Sequence, residues 1–130
     1  IKILIMQLPD FPITAAAPIS GSFLANGLQT FAEAADFIAL LPYGRNADKS
    51  DLTTVFADNC GTCSTKHALL KKLADENGFR ELKLFLGIFK MHAGNTPGVG
   101  ETLARASLDY LPEAHNYLKY QGQVLDFTFG

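Results

Sequence analysis

Two cysteines, three histidines and one oddly placed aspartate carry the chemistry available to this chain. The cysteines are Cys60 and Cys63, the histidines His67, His92 and His115, and the aspartate is Asp126, set between Leu125 and Phe127 in an otherwise apolar run. A thiol becomes a nucleophile when negative charge on sulfur is stabilised and a base is close enough to take its proton. Cys63 opens a stretch of helical periodicity. The first-turn N–H groups there are unpaired and the helix dipole is positive, and both favour a thiolate. The alternative is a small buried residue that begins a core stripe. The base and its orienter are read as His115 and Asp126. A carboxylate bound to one imidazole nitrogen fixes the tautomer and stabilises the imidazolium, leaving the other nitrogen to accept the thiol proton. Taken singly, His115 reads as a strand surface histidine and Asp126 as an edge charge.

His67 is the competing base, four residues after Cys63 on the same helix face, since helical side chains lean toward the N-terminus. It has no evident carboxylate partner and reads more simply as a histidine satisfied at the core edge. His92 lies in a loop and has no assigned role. The three histidines show no ligand spacing, and a four-residue Cys-x-x-Cys would need a second ligand pair, so neither metal nor cofactor is expected. Cys60-Gly61-Thr62-Cys63 also supports a rival chemistry. A Cys-x-x-Cys before a helix, preceded by the β-prone run Leu52–Phe56, is the layout of a thioredoxin-like dithiol oxidoreductase. That reading requires Cys60 to matter as much as Cys63, and Pro97 or Pro112 to face the pair.

The elements that must hold these residues follow from periodicity and capping. A helix is predicted over Thr30–Leu41, with Thr30 and Glu33 as a capping box and Phe31, Ala34, Ala35, Ile38 and Leu41 as its stripe. A second is predicted over Cys63–Glu76, capped by Thr62 and stopped by Asn77-Gly78. Ile1–Met6 is a short apolar run compatible with a strand, and residues 9–22 read as loop. Leu82–Met91 is apolar on both faces, the pattern of a buried central strand. Gly100–Tyr110 reads as a short helix. His115–Tyr120 and Gln123–Phe129 flank Gln121-Gly122 as a hairpin. With a two-residue turn, Tyr120 pairs with Gln123, Tyr117 with Asp126 and His115 with Thr128. Cross-strand partners share a face, so His115 and Asp126 become diagonal neighbours. A four-residue turn keeps that parity, whereas a three-residue turn reverses it.

The 130 residues suit one compact domain spanning 1–130. Hydrophobic residues make up 48% and charged residues 18%, enough for a core and too apolar for disorder. The net charge is −2 with Lys and Arg scattered, which argues against nucleic acid as a partner. The longest uncharged stretch, Phe11–Ala32, is too broken by Pro12, Pro18, Gly21 and Gly27 to span a membrane. No secretory leader is read, and two cysteines are too sparse for a disulfide framework, so a cytoplasmic location is expected.

Gly61-Thr62-Cys63-Ser64-Thr65-Lys66-His67-Ala68-Leu69-Leu70, followed by Leu73 and Gly78, resembles the Gly-x-Cys helix of the transglutaminase-like superfamily. His115-Asn116-Tyr117-Leu118, then Gly122 and Leu125-Asp126-Phe127-Thr128, resembles that family's later histidine and aspartate motifs. The likeness covers about residues 60–129. It implies an α+β, papain-like fold, with the cysteine at the start of a helix packed on an antiparallel sheet. It implies thiol chemistry on a peptide or small amide: hydrolysis, deamidation or acyl transfer. Carried over by motif, Cys63 is the nucleophile, His115 the base and Asp126 the orienter. Tyr117 stands where the family often has Trp, and is counted with Asn46 as a substrate-side residue. The Cys63 N–H is the natural oxyanion donor, with Asn46 as a candidate side-chain partner. The His-to-Asp spacing is short for the family, which requires a tight hairpin. A non-catalytic interaction domain that kept the fold is the third reading.

Overall fold

The computed structural model describes residues 8–94 and 98–130, so the Ile1–Met6 run and Pro97 lie outside it. The chain is α+β, with five helices and three strands among the described residues. They are α1 (Pro18–Ala25), α2 (Phe31–Leu40), α3 (Thr54–Asp58), α4 (Cys63–Glu76), β1 (Lys83–Met91), α5 (Val99–Arg105), β2 (Leu111–Tyr120) and β3 (Gln123–Leu125). The strands form one sheet in the order β1-β2-β3. Two compact units are distinguished. One comprises the described residues up to Phe85 together with Asn116–Gly130, and the other is Leu86–His115.

The first unit carries the main core. Ile19 and Phe23 of α1, Phe31, Ala34, Ala35 and Ile38 of α2, and Leu69, Leu70, Leu73 and Ala74 of α4 are buried with Leu82, Leu118, Leu125 and Phe127. Both long helices begin where their caps predict. Thr30 and Glu33 form a reciprocal capping box, and so do Thr62 and Thr65, with a threonine hydroxyl in the place usually taken by Glu. Asn77 ends α4 and Gly78 follows in the left-handed region at φ 77°, where a side chain would be strained.

Four expectations are corrected. Residues 9–22 are not all loop, because α1 begins at Pro18. Its free N-terminus is capped from α4: the Glu76 carboxylate accepts from Ile19 N (3.2 Å), Ser20 N (2.7 Å) and Ser20 Oγ (2.7 Å). The β-prone run Leu52–Phe56 enters a helix, since Asp51 Oδ1 accepts from Thr53 N and Thr53 Oγ1 and turns the chain into α3. Among the described strands β1 is at the edge of the sheet, and Leu86 and Ile88 are 63% and 71% exposed, so its apolar run does not mark a buried central strand. The helix expected over Gly100–Tyr110 begins at Val99 and ends at Arg105.

The terminal hairpin has the expected register over three pairs, but the expected pairs Tyr117 with Asp126 and His115 with Thr128 do not form, because the strand expected over Gln123–Phe129 ends at Leu125. Tyr120 pairs with Gln123, Lys119 with Val124 and Leu118 with Leu125, around a two-residue turn. Gln121 and Gly122 both have positive φ, 51° and 78°, as a tight hairpin of this kind requires. β3 ends at Leu125, so Asp126 and Thr128 lie just beyond the paired strand.

Candidate functional site

Cys63 is the first residue of α4 and half-buried. The backbone reaches it through buried Gly61. A Cβ on Gly61 would stand 2.9 Å from Lys66 Cγ and 3.0 Å from Thr65 Oγ1, so only glycine fits without displacement. The loop after α2 is fastened to this approach. Gly44 N donates to Gly61 O (3.1 Å) and Gly61 N to Pro42 O (3.2 Å). Thr65 Oγ1 donates to Asn46 Oδ1 (2.6 Å), Asn46 Nδ2 to Cys60 O (2.8 Å), and Ala47 N to Asp58 Oδ2 (2.9 Å). Between this loop and the first turn of α4 is an open cleft of about 530 Å³. Tyr43, Arg45, Asn46, Asp48 and Lys49 line one side and Thr62, Ser64 and Thr65 the other, and Cys63 is not part of the lining.

Asn46 is therefore at the site, as a clamp. Its amide donates to Cys60 O and, at 3.3 Å, to Asp58 Oδ2, so both hydrogens are spent on holding the loop. Cys60 is half-buried under Gly44, with Sγ 3.8 Å from Arg45 O, and both cysteines are free thiols.

His67 is fully buried and both ring nitrogens are engaged. Phe127 N donates to Nε2 at 2.8 Å, and Nδ1 lies 2.7 Å from Cys63 O. A nitrogen that accepts an N–H carries no proton, so the hydrogen is on Nδ1 and donates to Cys63 O. Asp126 Oδ1 lies 3.6 Å from Nε2. Both atoms accept from other donors, Oδ1 from Thr128 N (3.0 Å) and Thr128 Oγ1 (2.6 Å), so this approach is not an ion pair. His67 thus fastens the segment after β3 to α4, and its Nε2 lone pair is not available as a base for Cys63.

Lys66 is the feature sequence reasoning missed. It is fully buried, and its ammonium donates to Leu41 O (2.6 Å), Thr128 O (2.7 Å) and, more weakly, Ala39 O (3.4 Å). Burial lowers its pKa, opposed by charge on Cys60 and Asp126. Its place three residues before Leu69 and four before Leu70, on the apolar face of α4, was the available signal. Lys66 and His67 together pin residues 126–128 against α2 and α4.

Asp126 and Cys63 belong to the first unit, and His115 is the last residue of the second, on β2. Tyr117, two residues further along β2, stacks on Phe85 with ring centroids 5.9 Å apart. The hairpin register gives Tyr117 the same face as Lys119, the partner of Val124. Among the described residues, no group of three His, Cys, Asp or Glu side chains is placed to hold a metal, and no helix is long and apolar enough to cross a membrane. Comparison with known families, with curated proteins and with solved structures finds no match to the chain.

Proposed function

We propose that the protein is a transglutaminase-like cysteine enzyme that acts on an amide or peptide bond through a thioester. Cys63 is the nucleophile, His115 the base and Asp126 the carboxylate that orients it. The observation that carries this reading is the position of Cys63: first residue of a 14-residue helix and half-exposed. The Cys63 N–H at the start of the helix is suited to the oxyanion.

In the proposed reaction, the sulfur attacks the acyl carbon as His115 takes the thiol proton. The carbon–nitrogen bond then breaks and His115 returns the proton to the leaving amine. Water or a second amine resolves the thioester. A dithiol oxidoreductase is less well supported, because α3 occupies the place of the strand that should precede the Cys-x-x-Cys, and the second cysteine, not the first, begins the helix. The test is incubation with p-nitrophenyl acetate followed by peptide mass spectrometry. An acetyl group on Cys63, retained in Cys60→Ser and lost in Cys63→Ala, is expected. Equal acetylation of the two cysteines at the rate of a simple thiol would refute the assignment.

A further inference from the structure

We infer that His67 and Asp126 form an acid-operated latch on the C-terminal segment: protonation of the ring exchanges its bond from Phe127 N–H for one to the Asp126 carboxylate. In the closed form the ring is neutral. Nε2 accepts from Phe127 N at 2.8 Å, and Nδ1 donates to Cys63 O at 2.7 Å. An added proton must go to Nε2, where it points at the Phe127 N–H. A donor then faces a donor, and the bond that holds Phe127 is lost. Asp126 Oδ1 stands 3.6 Å from the same nitrogen, too far for a hydrogen bond in the closed form. A closure of about 0.7–0.9 Å gives the length of a charge-assisted bond. A carboxylate offers about four acceptor positions, so Asp126 can take the ring hydrogen while it still accepts from Thr128 N and Thr128 Oγ1. The side chain of Asp126 is 42% exposed and that of His67 0%, so the proton has a route from water on the carboxylate side.

The charges around the ring favour the exchange. Lys66, the preceding residue of α4, donates its ammonium to Thr128 O at 2.7 Å, so adjacent side chains grip adjacent residues of the segment. Protonation of His67 sets a second cation at this grip, with Asp126 as the carboxylate beside it. The other charged groups on the surrounding elements are differently engaged. Lys71, one turn further along α4, is paired with Asp75. Glu33 caps α2 and Asp36 is exposed, Glu76 caps α1, and Lys119 of β2 lies over the Phe85 ring. Cys63 meets the ring through its backbone carbonyl, and Cys60 acts electrostatically on Lys66. Phe127 and Thr128 are buried in the closed form, so opening exposes part of the core. The latch does not depend on the chemistry of Cys63. One consequence does rest on the proposed function: with Asp126 drawn to α4, the acid form lacks the carboxylate that orients His115.

The experiment is an NMR titration of the nitrogen-15-labelled protein from neutral to acid pH. It follows the His67 ring nitrogens together with the protection of backbone amides against exchange, corrected for the intrinsic effect of pH. The ring should begin as the Nδ1–H tautomer. In the step in which it is protonated, protection at Phe127 should fall by about tenfold or more, the scale of one lost buried bond, while Leu69 and Leu70 of α4 keep theirs. In His67→Gln, whose side chain accepts from Phe127 N without titrating, that step should be absent. In Asp126→Asn the ring should be protonated only at lower pH, because the charge that receives its hydrogen is gone. Protonation of the ring with Phe127 still protected overturns the latch, and so does loss of protection at Phe127 and Leu70 together, which is global unfolding. An acid step at Phe127 that His67→Gln retains also overturns it. Should His67→Gln fail to fold, Asp126→Asn decides: a ring titration unmoved from the parent's overturns the exchange. Failure of Cys63 to react with acyl substrates leaves all these outcomes unchanged.

Discussion

Replacing His67 with leucine should loosen the C-terminal segment from α4 at a cost that can be worked out bond by bond. The ring is fully buried, and leucine is close to it in volume, so the packing loss is small. The hydrogen bonds are lost. Phe127 N–H, now donating to Nε2 at 2.8 Å, would be left buried with no acceptor, at about 1–3 kcal/mol. The Nδ1–H bond to Cys63 O adds about 0.5–1.5 kcal/mol at most, because helix geometry leaves that carbonyl its backbone partner. The expected loss is about 2–4 kcal/mol. His67→Gln restores an acceptor within reach of Phe127 N and should recover about half of it. Urea denaturation measures both variants, and an unchanged m-value shows that the native state alone was perturbed. Amide exchange at Phe127 should quicken in His67→Leu and be largely restored in His67→Gln. A His67→Leu variant within about 0.5 kcal/mol of the parent, or equal losses in both variants, would refute the assignment of His67 as a fastening residue.

Lys66→Met should cost about 2–4 kcal/mol in urea melts, because Leu41 O and Thr128 O lose a charged donor. Burial lowers the Lys66 pKa below 10.5, so the unfolded chain binds more protons between the folded value and 10.5, and stability rises with pH across that window. That contribution should vanish in Lys66→Met, and a parallel pH profile in the two proteins would contradict it. Gly61→Ala should cost about 1–3 kcal/mol, as its Cβ meets Lys66 Cγ and Thr65 Oγ1, and a neutral effect would show that the approach to Cys63 can relax.

The parts of the fold that sequence made legible are those specified by neighbours in the chain. Thr30 with Glu33, Thr62 before Cys63, and Asn77-Gly78 mark helix ends through local hydrogen bonds and backbone preference, and both long helices sit where these residues put them. Gln121-Gly122 sets the hairpin register by the same local logic. What escaped was set at a distance. α1 relies on Glu76, more than fifty residues away, to cap it. β1 is apolar on both faces yet lies at the edge among the described strands, and periodicity does not encode strand order. At the site, the place of Cys63 at the helix start was legible. The partners of His67 were not, because its acceptor role is defined by a backbone N–H sixty residues later. Lys66 was not legible by type, since a lysine ordinarily lies in solvent, although its position is on the buried face of α4.

The central claim, that Cys63, His115 and Asp126 act as one unit, is tested most directly by the pH–rate profile of Cys63 alkylation with iodoacetamide. The proteins to compare are the parent, His115→Ala, Asp126→Asn and the double variant. Asp126→Asn leaves the turn an acceptor, since Oδ1 can still accept from Thr128 N and Thr128 Oγ1. The account predicts that each single variant slows alkylation near neutral pH by about tenfold to a hundredfold, with the double variant little worse than either. Single variants that alkylate like the parent across the whole pH range would contradict it and leave His115 and Asp126 as parts of the scaffold.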